Sequence, residues 1–312
     1  MDRPRSFDGV EQLAVHLSEA GLDLQICQLS DGPMRGQLAL RRLGPLRLMR
    51  LQLNRRLHVA GPKPADQQVL ALDLTQSPGP SLTPLRAHGV AVGPDMLFGL
   101  DVRSDVHLST PEVLDLGVIL LQPSRLKRSS TDLGWADIEA TGLASNCLAI
   151  SPERHRRLRG FLLALLTSPV PPPEGLSRDL LPLVLEAMVQ GSSCQASLLP
   201  APTRLELVKQ AQQWVREHPQ EPITLDALCR QLHAGRRSLL QGFQEHLGMG
   251  PMAYIKLHRL HGIRRELLEA HPGAVSIGGL AVRWGFLNAG HFARDYRRLF
   301  GELPSQTLAG GG

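Results

Sequence analysis

The chain has 312 residues, 42% hydrophobic and 20% charged, which fits a folded chain of two domains at roughly 100 to 200 residues each and excludes a disordered or fibrous one. No run reaches the roughly 20 apolar residues of a membrane span, and Met1-Asp-Arg-Pro-Arg-Ser leads into no secretory stretch, so a cytoplasmic location without a membrane partner is expected. The net charge is +5, and residues 204–312 carry all of it, with 14 Lys and Arg against 9 Asp and Glu and seven of the twelve histidines. A basic segment beside a neutral one points to a polyanion, because cations that neutralise phosphates release condensed counterions. The same surplus also suits a plain solubilising surface.

Asp8 and Glu11 have capping-box spacing, and Val10, Leu13, Ala14 and Leu17 follow at helical intervals, so a short helix opens the chain. From Leu22 the period becomes two, with Leu22, Leu24 and Ile26 alternating against Asp23, Gln25 and Cys27. Further apolar stretches at 37–43, 46–53, 69–74, 96–102 and 116–122 are punctuated by Gly and Pro, and a phase slip near Met49 and Arg50 suggests a bulge. Many short strands at this spacing predict a sandwich or barrel. Cys27, Cys147, Cys194 and Cys229 stand singly, without zinc or disulfide spacing, and are read as free, mostly buried thiols.

After Ser151-Pro the pattern is helical through Leu166, then Thr167-Ser-Pro-Val-Pro-Pro-Pro breaks it. Leu180, Leu183, Val184, Ala187 and Met188 form a second stripe. These two helices predict a hairpin whose stripe either packs on the sheets or is exposed for self-association. The expected organisation is a β-rich sensor or regulatory domain over 1–151, the helical hairpin over 152–190, a linker over 191–203 and an all-α domain over 204–312.

The last hundred residues hold a degenerate repeat. Leu225, Leu228 and Cys229 lie 52 positions before Ile277, Leu280 and Ala281, and Leu239, Phe243, Leu247, Gly248 and Pro251 lie 53 positions before Phe292, Tyr296, Phe300, Gly301 and Pro304. Each unit reads as a short helix, a turn, a second helix with apolar residues at i, i+4 and i+8, then Gly and Pro as stops. That is the helix-turn-helix plan, whose second helix enters the DNA major groove. With Leu239, Phe243, Phe292 and Tyr296 inward, the outward residues are Arg236, Arg237, Ser238, Leu240 and Gln241 in the first unit and His291, Arg294, Asp295, Arg297 and Arg298 in the second. Arg can pair with guanine and Gln with adenine, while phosphates compete for the same arginines.

These residues resemble the AraC/XylS family of bacterial transcription regulators over about Ile223 to Ser305. The match is carried by Ile223-Thr-Leu-Asp-Ala-Leu, by Leu247-Gly-Met-Gly-Pro-Met-Ala-Tyr-Ile, by Arg259-Leu and Arg264-Arg-Glu-Leu-Leu, and by the signature that runs from Gly285-Phe-Leu-Asn-Ala-Gly-His to Pro304. The resemblance implies seven helices, with a long connecting helix that sets two recognition helices into successive major grooves. It places the base-reading positions on Arg237, Leu240 and Gln241 and on Ala289, Gly290, His291 and Arg294. Leu240 could touch a thymine methyl, and Ala289 and Gly290 leave close backbone approach and shape as the readout. His233 stands where the family has a turn glycine, Gly235 where it has a capping Ser, Gly278-Gly279 weakens the helix before the second turn, and no Tyr-Arg follows the last Pro-Ser. The N-terminal part resembles the sensor region of AraC-type regulators close to the ethanolamine regulator at Phe7-Asp8, Gln28-Leu-Ser-Asp-Gly32, Gly36, Asn54 and Gly61, all turn or edge residues.

Competing chemistries find no pattern. His58, His88 and His107 stand apart without metal-ligand spacing, His258 and His261 at i, i+3 on the connecting helix are expected to face solvent, and neither a nucleophile elbow nor a phosphate loop occurs. No catalytic residue, metal or cofactor is assigned, and the chain is not expected to be an enzyme. The expectation is a sequence-specific transcription regulator, its candidate partners being double-stranded DNA, a small-molecule effector, RNA polymerase and a second copy of the chain. The rivals are a protein-interaction module with a degenerate DNA-binding domain and a catalytic N-terminal β domain.

Overall fold

The computed structural model describes residues 4–64, 66–75, 83–101, 105–134, 146–168, 170, 175–189, 191–193, 203–271 and 273–310. Thirteen strands among them form two antiparallel sheets. The larger has the order β1 (Arg5–Phe7), β3 (Gly36–Leu43), β4 (Leu46–Leu53), β11 (Leu114–Leu121), β6 (Gln68–Asp73), β9 (Met96–Phe98), β12 (Cys147–Ala149), β13 (Ser192–Ser193). The smaller has the order β2 (Gln25–Gln28), β5 (Leu57–Gly61), β10 (Val106–Ser109), β7 (Arg86–Ala87), β8 (Val90–Ala91). The sandwich expected from the turn spacing is thus present, and α1 (Val10–Glu19) packs into it.

The strand β4 explains the layering. Leu46 and Leu48 belong to one core, and Met49, Leu51 and Leu53 to another. Successive strand side chains point to opposite faces, so a strand buried on both faces loses its alternation. The expected bulge is therefore corrected: β4 pairs residue for residue with β3 and with β11 through Met49 and Arg50. One face of the large sheet meets the small sheet, through Leu57, Val59 and Leu108. The other is covered by α3 (Pro152–Thr167) and α4 (Leu176–Val189), whose Leu158, Leu162, Leu165, Leu180, Val184 and Met188 share its core. The hairpin stripe is thereby taken up by the sheet and is not the open surface weighed for self-association.

The helix α2 (Pro123–Asp132) was not anticipated, since it buries only Leu126 and Ser130 and has no apolar stripe. The expected capping box on α1 does not form. Gly9 is the N-cap without a side-chain bond, the Asp8 N–H donates to Gln12 Oε1 at 2.9 Å, and Glu11 reaches Arg264 instead. Cys27 and Cys147 are buried free thiols and Cys229 is half-buried; Cys194 and most of the expected 191–203 linker lie outside the described residues.

Seven helices follow: α5 (Thr203–Glu217), α6 (Leu225–Gln231), α7 (Arg236–Leu247), α8 (Pro251–Glu269), α9 (Ile277–Arg283), α10 (Ala289–Phe300) and α11 (Pro304–Gly310). They enclose two cores. Val208, Leu228, Leu239, Phe243, Leu247 and Tyr254 make the first, together with Cys27 and Leu29 of the β region. Leu260, Ile263, Leu280, Phe292, Tyr296 and Phe300 make the second. The β region thus contributes to a C-terminal core, because the outer face of β2 packs on α8.

Candidate nucleic-acid interface

Each recognition helix is fixed by the residues the repeat selects. Leu239, Phe243 and Leu247 on α7 are fully buried, as are Phe292 and Tyr296 on α10 to within 2%. Tyr296 donates to Thr307 Oγ1 at 2.9 Å, and Thr307 donates to Glu302 at 2.8 Å. Thr307 thus anchors α11 to the second unit in the segment where the family's Tyr-Arg is missing. Gly262 on α8 lies against Trp284, whose ring a Cβ would meet at 2.0 Å, so that only glycine lets α8 and α9 approach this closely.

The turns differ at one matched position. Gly285 in the second unit has φ +81, and its counterpart His233 in the first has φ +48. A side chain in the left-handed region costs about 1 to 2 kcal/mol. The caps differ as well: Gly235 gives α7 no side-chain cap, whereas Asn288 Oδ1 accepts the His291 N–H of α10 at 2.9 Å.

All eleven residues expected at the interface are exposed: Arg236, Arg237, Ser238, Leu240 and Gln241 on α7, and Ala289, Gly290, His291, Arg294, Arg297 and Arg298 on α10. Arg237 and Arg294 enter no ion pair or hydrogen bond among the described residues. Gln241 donates to Glu245 at 3.0 Å, and Arg236 lies 3.8 Å from Asp226. Arg298 is engaged elsewhere, 3.2 Å from Asp31 of the β region and 3.4 Å from Asp295. The pattern missed Leu287, which is 90% exposed in the turn immediately before α10. Its lack of any place in the i, i+4 stripe was the available signal.

The histidines depart furthest from expectation. His261 does not face solvent: it is buried, and its Nε2 accepts the Gln28 N–H at 3.0 Å, which burial favours by holding the imidazole neutral and its pKa down at about 4. His58, His88 and His107, remote in sequence, are brought together by the pairing of β5, β10 and the β7–β8 turn. The His58 and His107 rings lie 4.6 Å apart and those of His88 and His107 6.3 Å apart. His58 Nδ1 donates to the Leu108 carbonyl at 3.1 Å, and His107 Nε2 donates to Gln212 Oε1 on α5 at 3.2 Å. Burial lowers the pKa of all three. Among the described residues no group of three or more His, Cys, Asp or Glu is arranged to hold a metal. These rings belong to the junction between the β region and the C-terminal helices. Beside them a cleft of about 740 Å³ is lined by His107, Lys209, Gln212, Trp214 and Arg216.

A family model described as a helix-turn-helix domain matches residues 228–310. The probable thc operon regulatory protein of Rhodococcus erythropolis is 38% identical over 109 residues, 35% of this chain and 33% of that protein. The XylDLEGF operon transcriptional activator of Pseudomonas putida is 38% identical over 96 residues, 31% of this chain and 30% of that protein. The chain thus matches about a third of the length of these curated relatives. A solved structure of a probable AraC family transcriptional regulator from Rhodopseudomonas palustris is 36% identical, covering 34% of this chain and 97% of that one with a TM-score of 0.32. Among the described residues no helix is long and apolar enough to cross a membrane. The C-terminal part of this chain thus carries a helix-turn-helix domain, and over that part the chain is similar to the AraC/XylS-type operon regulators named above.

Proposed function

We propose that the whole chain is a sequence-specific, DNA-binding transcription regulator in which α7 and α10 each enter a major groove. The observation that carries this is the exposure of both helix N-terminal halves on buried aromatic and leucine pins, with Arg237 and Arg294 unpaired among the described residues. Unpaired guanidinium groups can bond a guanine edge in two places without first breaking an ion pair. Leu240 and Leu287 offer methyl groups to thymine, and Arg236 and Arg297 supply phosphate contacts. Arg298 would have to exchange Asp31 for a phosphate.

In this reading the β region senses an effector, and the cleft beside His107 and Trp214 is its candidate site, since its volume falls in the range of small-molecule pockets. An effector acts by binding one arrangement of the two regions more tightly than another. RNA polymerase is the machinery acted upon, and a second copy of the chain is a further partner. The chain acts within the cytoplasm.

The test is selection of bound fragments from random double-stranded DNA, followed by affinity measurements across a salt series. Retained fragments should share two half-sites about one helical turn apart, and affinity should fall linearly on a log-log salt plot. Retention of nothing at low salt, or retention indifferent to sequence, would overturn the reading. A protein-interaction role draws support from Leu287, whose 90% exposure also suits a protein surface.

A further inference from the structure

A helix leaves its last carbonyls without partners inside the helix, and something else must satisfy them. Here α7 and α10 end in matched left-handed glycines, Gly248 at φ +70 and Gly301 at φ +80. The glycine N–H groups bond back to Gln244 and Arg297. The carbonyls beyond are taken by the β region. Arg56 donates to the Leu247 carbonyl at 2.9 Å, the Gln28 side-chain amide to the Leu299 carbonyl at 3.0 Å, and the Gly32 N–H to the Arg298 carbonyl at 2.9 Å. A Cβ on Gly248 would lie 3.0 Å from Arg56, and one on Gly301 would lie 3.0 Å from Pro33.

These donors form one unit. The Arg56 N–H donates to Ser30 Oγ at 3.0 Å, and the Leu29 N–H to the Arg56 carbonyl at 2.8 Å. The backbone N–H of Gln28, only 2% exposed, also donates to His261 in the second half of α8. A single small knot of β-region donors, the Arg56 and Gln28 side chains with the Gly32 and Gln28 N–H groups, therefore grips the equivalent ends of both recognition helices and the helix that joins them. Within the C-terminal helices the two cores meet through α8, with half-buried Leu257 touching both. A 19-residue helix spans about 28 Å, and a few degrees of bend or twist along it shifts one unit against the other.

We propose that the Gln28–Pro33 loop with Arg56 is a brace that fixes the separation of the two recognition helices, so that the β region sets which half-site spacing the chain accepts. Arg56 and Gln28 are positioning residues: they act at the helix ends opposite the base-reading side chains. This rests on the DNA-binding reading above.

The test uses the full chain on a selected two-half-site fragment and on versions with one base pair inserted or removed between the half-sites. Each such change rotates one half-site by about 35° and moves it about 3.4 Å. Wild type should lose about tenfold in affinity on the altered spacings, whereas Arg56→Ala and Gln28→Ala should lose about threefold or less, and Arg56→Lys, which keeps one donor, should restore part of the discrimination. Circular dichroism and thermal melting accompany each variant. If Gln28→Ala does not fold, the comparison of Arg56→Ala with Arg56→Lys decides. Equal spacing penalties in wild type and Arg56→Ala would overturn the brace and leave the DNA reading standing. Tighter binding of Arg56→Ala on every spacing alike would also overturn it, because the contact would then restrain binding without measuring spacing. If wild type binds no selected fragment, the underlying reading fails and the brace falls with it.

Discussion

The two helix-turn-helix units share a backbone plan and differ in almost everything attached to it. The first presents Arg236, Arg237 and Gln241 on a helix that begins at an uncapped Gly235 and follows a strained His233. The second begins at a well-capped Asn288 after an unstrained Gly285, yet offers Ala289 and Gly290 where hydrogen-bonding side chains are expected. Local stability and reading chemistry are thus distributed in opposite senses. The first unit puts its donors on a less favourable local backbone, and the second puts a sound helix end behind a surface suited to shape and close approach.

That contrast can be broken most forcefully through the pins. Phe243→Ala and Tyr296→Ala should each cost about 3 to 5 kcal/mol, seen in urea denaturation. If the cores of the two units are energetically separate, each variant should melt its own unit first, visible as unequal loss of amide protection in hydrogen exchange. Loss of both together in both variants would show one cooperative body.

Acid is the next largest lever. Burial, reinforced by Arg264 and Arg265 and opposed by the Gln28 carbonyl 3.3 Å from Nε2, holds His261 down at about 4, against 6.5 for a free imidazole. An imidazole whose docked pKa is depressed gains its proton more readily once undocked, so docking is intact above about pH 6.5 and weakens as pH falls towards 4, by about 3 kcal/mol over the window. The denaturation midpoint should drop between pH 7.5 and 5. His261→Gln, which keeps an acceptor for the Gln28 N–H but cannot titrate, should shrink that drop; an unchanged drop would assign it to His58 and its neighbours.

The reading surfaces come third. Arg237→Ala and Arg294→Ala should each cost about 1 to 3 kcal/mol on a selected site and relax preference at one position, whereas Arg297→Ala should weaken all sequences alike and lower the salt slope by about one. Uniform losses in all three would remove the distinction between base and phosphate contacts. The smallest effects lie in the caps and turns. Asn288→Ala should cost about 1 kcal/mol of stability, and His233→Gly should return somewhat less than 1 kcal/mol by relieving the left-handed strain, both measurable as shifts in thermal midpoint.

The second-unit pins were legible because Phe292 and Tyr296 sit four apart with Gly301 and Pro304 behind them, and a helix stripe is a property of neighbours in the chain. The sandwich was legible from turn spacing, but β4 was misread as bulged, since a strand buried on two faces looks like a strand out of phase. Glu11 was misread as a cap because its partner, Arg264, lies far along the chain on α8. His58, His88 and His107 were dismissed on spacing, a criterion that is blind to strand pairing.

Sequence alone determined the paired helices of the two helix-turn-helix units, their inward residues and their basic outer faces, because periodicity, glycine stops and charge act over a few residues. Only the tertiary structure decided that Gln28, Gly32 and Arg56 close the ends of both recognition helices, that Arg298 is held by Asp31, and that His58, His88, His107 and His261 are drawn into the junction of the two regions. The physical reason is that unsatisfied carbonyls and buried imidazoles find partners by proximity in space, and no local pattern of residue types encodes which distant strand will supply them.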